Sequence, residues 1–197
     1  MPRKSTTKPP QTSQLKIIAG RWRGRPIKFL QLEGVRPTPN RIRETLFNWL
    51  APTINDARCL DLFAGSGILG IEALSRGASE CTFLDLSAEV CYQIKAQLNL
   101  LDAGSHKVIL SDTKSWLQST APKNQYDIIF LDPPFHQNLL PEYFQLLEAK
   151  EILAPGGALY VESESPINPV HLPNRWSLER YKSAGNVHYG LILATGN

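Results

Sequence analysis

Apolar positions in this chain alternate between two patterns. Short apolar runs bounded by Gly, Pro, Asp or Ser fall at 58–64, 81–84, 108–110, 126–131 and 158–162. Runs of this length predict strands buried on both faces. Between them, helical periodicity predicts helices near 68–76, 88–101, 113–119 and 138–151. Such alternation implies a parallel sheet with right-handed crossovers. The turn Pro155-Gly156-Gly157 precedes the fifth strand, and segments 176–182 and 186–193 around Ser183-Ala184-Gly185 predict an antiparallel hairpin that completes seven strands. Ahead of the sheet, 15–19 and 26–29 flank a glycine-containing turn and predict a separate hairpin. A helix follows, with Thr38 as N-cap and Pro39 at its first position. Ile42, Leu46, Trp49 and Leu50 share one face of it.

Four strand ends carry candidate chemistry. Run 126–131 is closed by Asp132-Pro133-Pro134-Phe135. Open α/β sheets bind ligands at the carboxyl ends of their strands. There the Asp132 carboxylate and the Pro133 carbonyl are two acceptors, and Phe135 offers a ring face. Together they suit a planar group bearing two N–H donors. Such an amino nitrogen is a poor nucleophile because its lone pair is delocalised. Hydrogen bonds to both protons favour a pyramidal nitrogen and so the transition state. Pro133 and Pro134 hold the acceptors in place beforehand. Run 58–64 leads into Gly65-Ser66-Gly67-Ile68-Leu69-Gly70, with Asp85 about twenty residues on, the interval expected for an acid that grips ribose hydroxyls. The glycine pattern alone is equally compatible with a dinucleotide. Asp61 favours the cationic amino end of S-adenosylmethionine over a pyrophosphate. Ser111-Asp112, at the next strand end, could accept from an adenine amino group or simply cap a helix.

Charge separates the two ends of the chain. The net charge is +3, yet residues 1–43 hold eleven Lys or Arg against Glu33 alone, so the remainder is net acidic. A basic extension on an acidic body suits a polyanion. Residues 1–14, rich in Lys, Ser, Thr, Pro and Gln, read as a disordered solubilising tail. Arg21-Trp22-Arg23-Gly24-Arg25 reads instead as a ribbon presenting guanidinium groups to RNA. At 197 residues the chain suits one α/β domain with an appendage. No apolar run reaches membrane-spanning length, and no apolar stretch follows the basic N-terminal residues, so neither a span nor a secretory signal is expected. Cys59, Cys81 and Cys91 form no CxxC pair and predict reduced thiols in the cytoplasm. The four histidines lack ligand spacing, so no metal is expected.

Asp61-Leu62-Phe63-Ala64-Gly65-Ser66-Gly67, Asp85, Ser111-Asp112 and Asp132-Pro133-Pro134-Phe135 together resemble the Rossmann-like, class I S-adenosylmethionine-dependent methyltransferases of amino groups. The segment RPTPNRIRETLFNWL at 36–50, with RGRPI at 23–27, is similar to the RsmD family, from about Lys16 onward. That resemblance implies transfer of methyl to the N2 amino group of one guanine in small-subunit (16S) ribosomal RNA. It implies a catalytic domain over 53–197 and an RNA-binding extension over 15–52 that covers the cofactor. Asp132 to Phe135 would act on the base, with Asp61, Phe63, Ala64, Gly65, Ser66, Gly67, Asp85 and Asp112 on the cofactor. Thr38, Arg36 and Arg41 would line the site, the arginines joining Arg21, Arg23 and Arg25 on RNA. The partner would be the RNA or an assembling subunit, and the enzyme a monomer. Adenine N6 or a glutamine amide would suit the same acceptors. An oxidoreductase would leave Asp61 and Asp132 unexplained, and an RNA-binding assembly factor would be indifferent to Asp132.

Overall fold

The computed structural model describes residues 12–30, 38–119, 125–135 and 139–195. Strands β1 (Thr12–Lys16) and β2 (Pro26–Leu30) form an antiparallel hairpin, Lys16 opposite Pro26. Helix α1 (Asn40–Leu50) follows. The main sheet then builds from β3 (Arg58–Asp61), α2 (Ile68–Ser75), β4 (Glu80–Asp85), α3 (Ala88–Leu100) and β5 (Ser105–Leu110). It continues through α4 (Thr113–Ser119), β6 (Tyr126–Leu131), α5 (Leu140–Ala149), β7 (Leu153–Ser163), β8 (Trp176–Ala184) and β9 (Val187–Ala194). Its strand order is β5-β4-β3-β6-β7-β9-β8. The first five run parallel, and β9 is antiparallel to both neighbours. The expected α/β sheet of seven strands with a C-terminal hairpin is what the chain forms. The chain winds outward from β3 to β5 and then returns to place β6 on the other side of β3. A crevice therefore opens between the carboxyl ends of β3 and β6.

Two apolar layers sandwich the sheet. Cys59, Phe83, Ile128, Phe130 and Tyr160 face one layer, filled by α1, α2 and α3 through residues such as Phe47, Ile71 and Ile94. Leu60, Ile129, Leu131 and Val161 face the other, filled by Leu117 of α4 and Phe144 and Leu147 of α5. Period-two alternation sets which side chain enters which layer. Ile17, Trp22, Ile27, Ile42 and Leu46 belong to the first layer, so the N-terminal block shares the core of the sheet.

Several boundaries differ from expectation for identifiable reasons. The first strand ends at Lys16 rather than Ala19, because the Ile18 and Ala19 N–H groups donate to the Glu72 carboxylate at 2.8 and 3.0 Å instead of to a ladder. Residues 12–14, read as tail, pair in β1; residues 1–11 lie outside the described residues. Helix α1 has no side-chain cap, and Thr38 is spent elsewhere. Strand β7 begins at Leu153, incorporating the three residues read as a turn, with an irregularity opposite Tyr126 and Ile128. β3 is shorter than its apolar run, since Leu62 to Ala64 already bend toward the ligand edge.

A buried ionic knot fastens the N-terminal turn to α2. Glu72 accepts from Ile18, Ala19 and Arg76 Nε (2.8 Å), and pairs with Arg43 at 3.4 Å. Arg43 also donates to the Lys16 carbonyl and to Asn40 Oδ1. Arg43, counted by sequence among the basic extension's cations, has no exposed surface at all. The turn then lies directly on the end of α2. Gly20, at φ +81°, sits so close that a Cβ there would be 1.8 Å from the Ser75 carbonyl oxygen, while Arg21 N–H and Trp22 N–H donate to Ser75.

Candidate active site

The carboxyl edge of the sheet gathers the acidic positions. Side-chain parity puts Asp61 on the same face as Cys59, and Glu162 on the same face as Tyr160, the face covered by α1. Asp132 lies two residues beyond Phe130, and Asp61 pairs laterally with Phe130. Leu131 pairs with Val161, which makes Glu162 the lateral neighbour of Asp132. Three carboxyl groups from β3, β6 and β7 therefore share one side of the crevice.

Their environments differ. Asp61 is 2% exposed; its Oδ2 accepts from Gly70 N–H at 3.3 Å, and Phe63 N–H also donates to it. Burial, reinforced by Asp85 and opposed by those two N–H groups, pushes its carboxyl up to about 7. It braces the glycine loop from behind. Asp132 is half-buried. Enclosure first, then the Glu162 and Asp61 charges, hold its carboxyl well above the usual range. Of its companions, Pro133 is buried, Pro134 exposed and Phe135 half-buried at the mouth. Glu162 is 3% exposed, and its Oε1 accepts from the Tyr160 hydroxyl at 2.8 Å. The Thr38 hydroxyl donates to Glu162 as well, which is why Thr38 does not cap α1.

The glycine loop leaves the sheet beside these groups. Gly65 and Gly67 adopt φ of 51° and 72°, a left-handed path that opens α2 without placing side chains in the crevice. Gly67 N–H donates to the Ala64 carbonyl at 2.7 Å, and Ser66 Oγ receives Ile68 N–H at 3.4 Å. Phe63 stands edge-on to Tyr143 of α5 at 5.3 Å, and the Thr113 hydroxyl ties the Leu62 carbonyl at 2.6 Å. Asp85 accepts from Gly65 N–H (2.9 Å) through Oδ2 and from Ser87 N–H (2.8 Å) through Oδ1. A carboxylate has about four acceptor positions, so Asp85 keeps capacity for a diol. Asp112 caps α4: its Oδ1 accepts from both the backbone and the hydroxyl of Ser115 at 2.8 Å. Those contacts hold its carboxyl below the usual range. This arrangement suits a nucleoside on the loop, with hydroxyls at Asp85 and a cationic end near Asp61.

The arginines are placed differently. Helices α2 and α3 each start at the carboxyl edge and return the chain to the amino edge. The Arg21–Arg25 turn rests on their far ends, through Ser75 and through Arg25 donating to the Leu100 carbonyl at 2.8 Å. It is a turn, not a ribbon, and Trp22 is buried with Arg21 stacked on its ring at 4.1 Å. Arg23, Arg25 and Arg41 are exposed. Arg36 lies outside the described residues. The residue that sequence reasoning missed is Glu162. Its signal was an acid at the carboxyl end of a buried strand, two after Tyr160 on the same face.

The strand order, the glycine loop at the switch point and the acidic strand ends define a Rossmann-like, S-adenosylmethionine-dependent methyltransferase fold. The chain belongs to the RsmD family: the family model described as "Conserved hypothetical protein 95" matches residues 15–193. It is 48% identical over 181 residues to the "Ribosomal RNA small subunit methyltransferase D" of Escherichia coli strain K12, covering 91% of this chain and 90% of that one. The solved structure of a putative methyltransferase, yhhF, from Escherichia coli superposes with TM-score 0.83 at 45% identity, covering 94% of this chain and all of the other. A putative methyltransferase from another source, solved in complex with SAH, shares the fold alone, with TM-score 0.70 at 15% identity, over 95% of this chain and 57% of its own.

Proposed function

We propose that this chain transfers a methyl group from S-adenosylmethionine to the exocyclic N2 amino group of a guanine in small-subunit ribosomal RNA. The observation that carries the reaction class is Asp132-Pro133-Pro134-Phe135 beginning one residue past β6, at the crevice beside β3. The named relative supports the RNA substrate. The glycine loop, Asp85 and Asp112 hold the nucleoside of the cofactor, while Asp61 shapes the loop and supplies negative potential toward its cationic end. When bound, the cofactor supplies an activated methyl group and needs no metal to do so.

The protein's own part is positioning. A guanine leaves its stack at a cost of a few kcal/mol, of which stacking near Phe135 returns about 1 to 3. Its amino protons donate to the Asp132 carboxylate and the Pro133 carbonyl, which localises the lone pair on nitrogen. The amino nitrogen is thereby aimed at the methyl carbon, and proximity supplies much of the remaining acceleration. The test is transfer of labelled methyl to unmodified small subunits, followed by digestion to nucleosides, with Asp132→Ala alongside. N2-methylguanosine is expected, together with a loss of at least about 100-fold in turnover for Asp132→Ala at near-normal cofactor affinity. N6-methyladenosine or labelled protein would overturn the substrate, and a fully active Asp132→Ala would overturn the role of the carboxylate.

A further inference from the structure

One buried acid at the reacting edge has no part in the steps above. Glu162 is the lateral neighbour of Asp132 and is nearly sealed from solvent. Its carboxylate receives two hydroxyls, Tyr160 at 2.8 Å from its own strand and Thr38 from the segment leading into α1. Both donors are themselves buried. Burial pushes the Glu162 carboxyl above its ordinary range, and the two fixed hydroxyl donors oppose that rise by favouring the ionised form. Among the described residues, the remaining groups that face the pair are Asp61 from β3 and, behind Tyr160, Tyr189 from β9. Among the described residues, none of the groups acting on either carboxyl is cationic.

We propose that Glu162 is a positioning residue for methyl transfer: a second anion, pinned by Tyr160 and Thr38, that makes Asp132 the acceptor of the proton shed by the target amino group. The proposal rests on reading Asp132 as the partner of that amino group. The amino nitrogen forms the new N–C bond with its lone pair as the methyl's C–S bond breaks, its electrons staying on sulfur. The surplus N–H proton passes to the ionised Asp132 carboxylate and leaves to solvent with the product. Two adjacent carboxyls in an enclosed site share one proton over a wide pH range. Burial raises both carboxyls, but hydroxyl donors oppose the rise at Glu162 and none does so at Asp132 among the described residues, so that proton resides on Asp132 in the free enzyme. It must depart before Asp132 can accept from substrate, so turnover has an acid limb whose position the pair sets. The raised carboxyl of Asp132, with Glu162 the largest charge acting on it, is in keeping with this.

The test is the pH profile of kcat on small subunits at saturating S-adenosylmethionine, for the parent, Glu162→Gln, Tyr160→Phe and Asp132→Asn. Glu162→Gln keeps the shape and acceptor of the side chain but removes its charge. It should move the acid limb to lower pH by about 1 to 2 units, with the cofactor KM unchanged. Tyr160→Phe weakens the hold on the Glu162 anion and should move the limb the same way by less. A merely structural role would lower kcat at every pH and leave the limb in place. An unmoved or upward-moving limb in Glu162→Gln, with Asp132→Asn inactive, overturns the proposal while leaving the role of Asp132 intact. If Glu162→Gln fails to fold, an unmoved limb in Tyr160→Phe overturns it. Full activity in Asp132→Asn would remove the reading on which the proposal stands.

Discussion

Replacing Glu72 with glutamine isolates the knot that attaches the N-terminal block. The side chain has no exposed surface and serves four donors at once: Ile18 N, Ala19 N, Arg43 Nη1 and Arg76 Nε. Glutamine keeps the volume, so no cavity contributes. Its amide nitrogen replaces one acceptor oxygen, so at least one buried N–H loses its partner, at about 1 to 3 kcal/mol. The two guanidinium groups lose their counter-charge as well. Arg43 is fully buried, its Nε already lacks a hydrogen-bond partner, and what remains to it is the Lys16 carbonyl and Asn40. Breaking a buried pair from one side typically costs about 3 to 5 kcal/mol, and Arg76, partly exposed, adds little. The expected loss is thus about 3 to 5 kcal/mol, a large share of the ~5 to 15 kcal/mol that holds a domain together. Urea unfolding followed by circular dichroism measures it through the midpoint and slope. A loss below about 1 kcal/mol with an unchanged slope would refute the claim that this cluster secures the N-terminal block.

Two further outcomes follow from other groups. The Asp61 carboxyl, raised to about 7 in the folded protein from an ordinary 3.8, keeps its proton on folding between those values, so stability falls as pH rises through that window. Asp61→Asn removes this dependence: relative to the parent, the variant should gain on the order of 4 kcal/mol between pH 4 and pH 8, read from denaturant midpoints, and a constant difference would contradict the burial argument. Replacing Arg21, Arg23 and Arg25 together with Ala should reduce the slope of log RNA affinity against log salt by up to about 2 while S-adenosylmethionine binding holds, and an unchanged slope would exclude the turn from the RNA contact.

What could be read from the sequence depended on how locally each feature is determined. The bounds of Tyr126–Leu131 follow from its own composition, and the strand matches them. Asp132 and the glycine loop were equally legible, since strand, turn and helix succeed one another along the chain. Glu162 was not, because its meaning comes from lateral register: only the pairing of Leu131 with Val161 sets it beside Asp132. Thr38 has the sequence context of a helix cap, and a partner at the far end of the chain redirected its hydroxyl. Arg43 looked like one more cation of a basic extension, although its spacing from Ile42, Leu46 and Leu50 on a short helix turns it inward to Glu72. The end of the first strand was likewise decided by an acid on α2, which takes the Ile18 and Ala19 N–H groups, rather than by any residue of the hairpin.

The far ends of α2 and α3, where the arginine turn rests, stand apart from the reacting edge by the length of those helices: about 12 Å for the eight residues of α2 and about 20 Å for the thirteen of α3. With RNA held by the arginine turn as proposed, grip and chemistry are separated by a fixed span, and the protein acts as a gauge of its substrate. On that reading, a free nucleoside placed at Phe135 falls short of the arginines and gains nothing from them. Only a strand that continues along the flank of α2 and α3, or a folded particle that brings a second backbone there, engages both ends. Selection by reach discriminates among identical bases without reading the sequence around them, so a small enzyme can single out one position in a large RNA by where its neighbours lie in space.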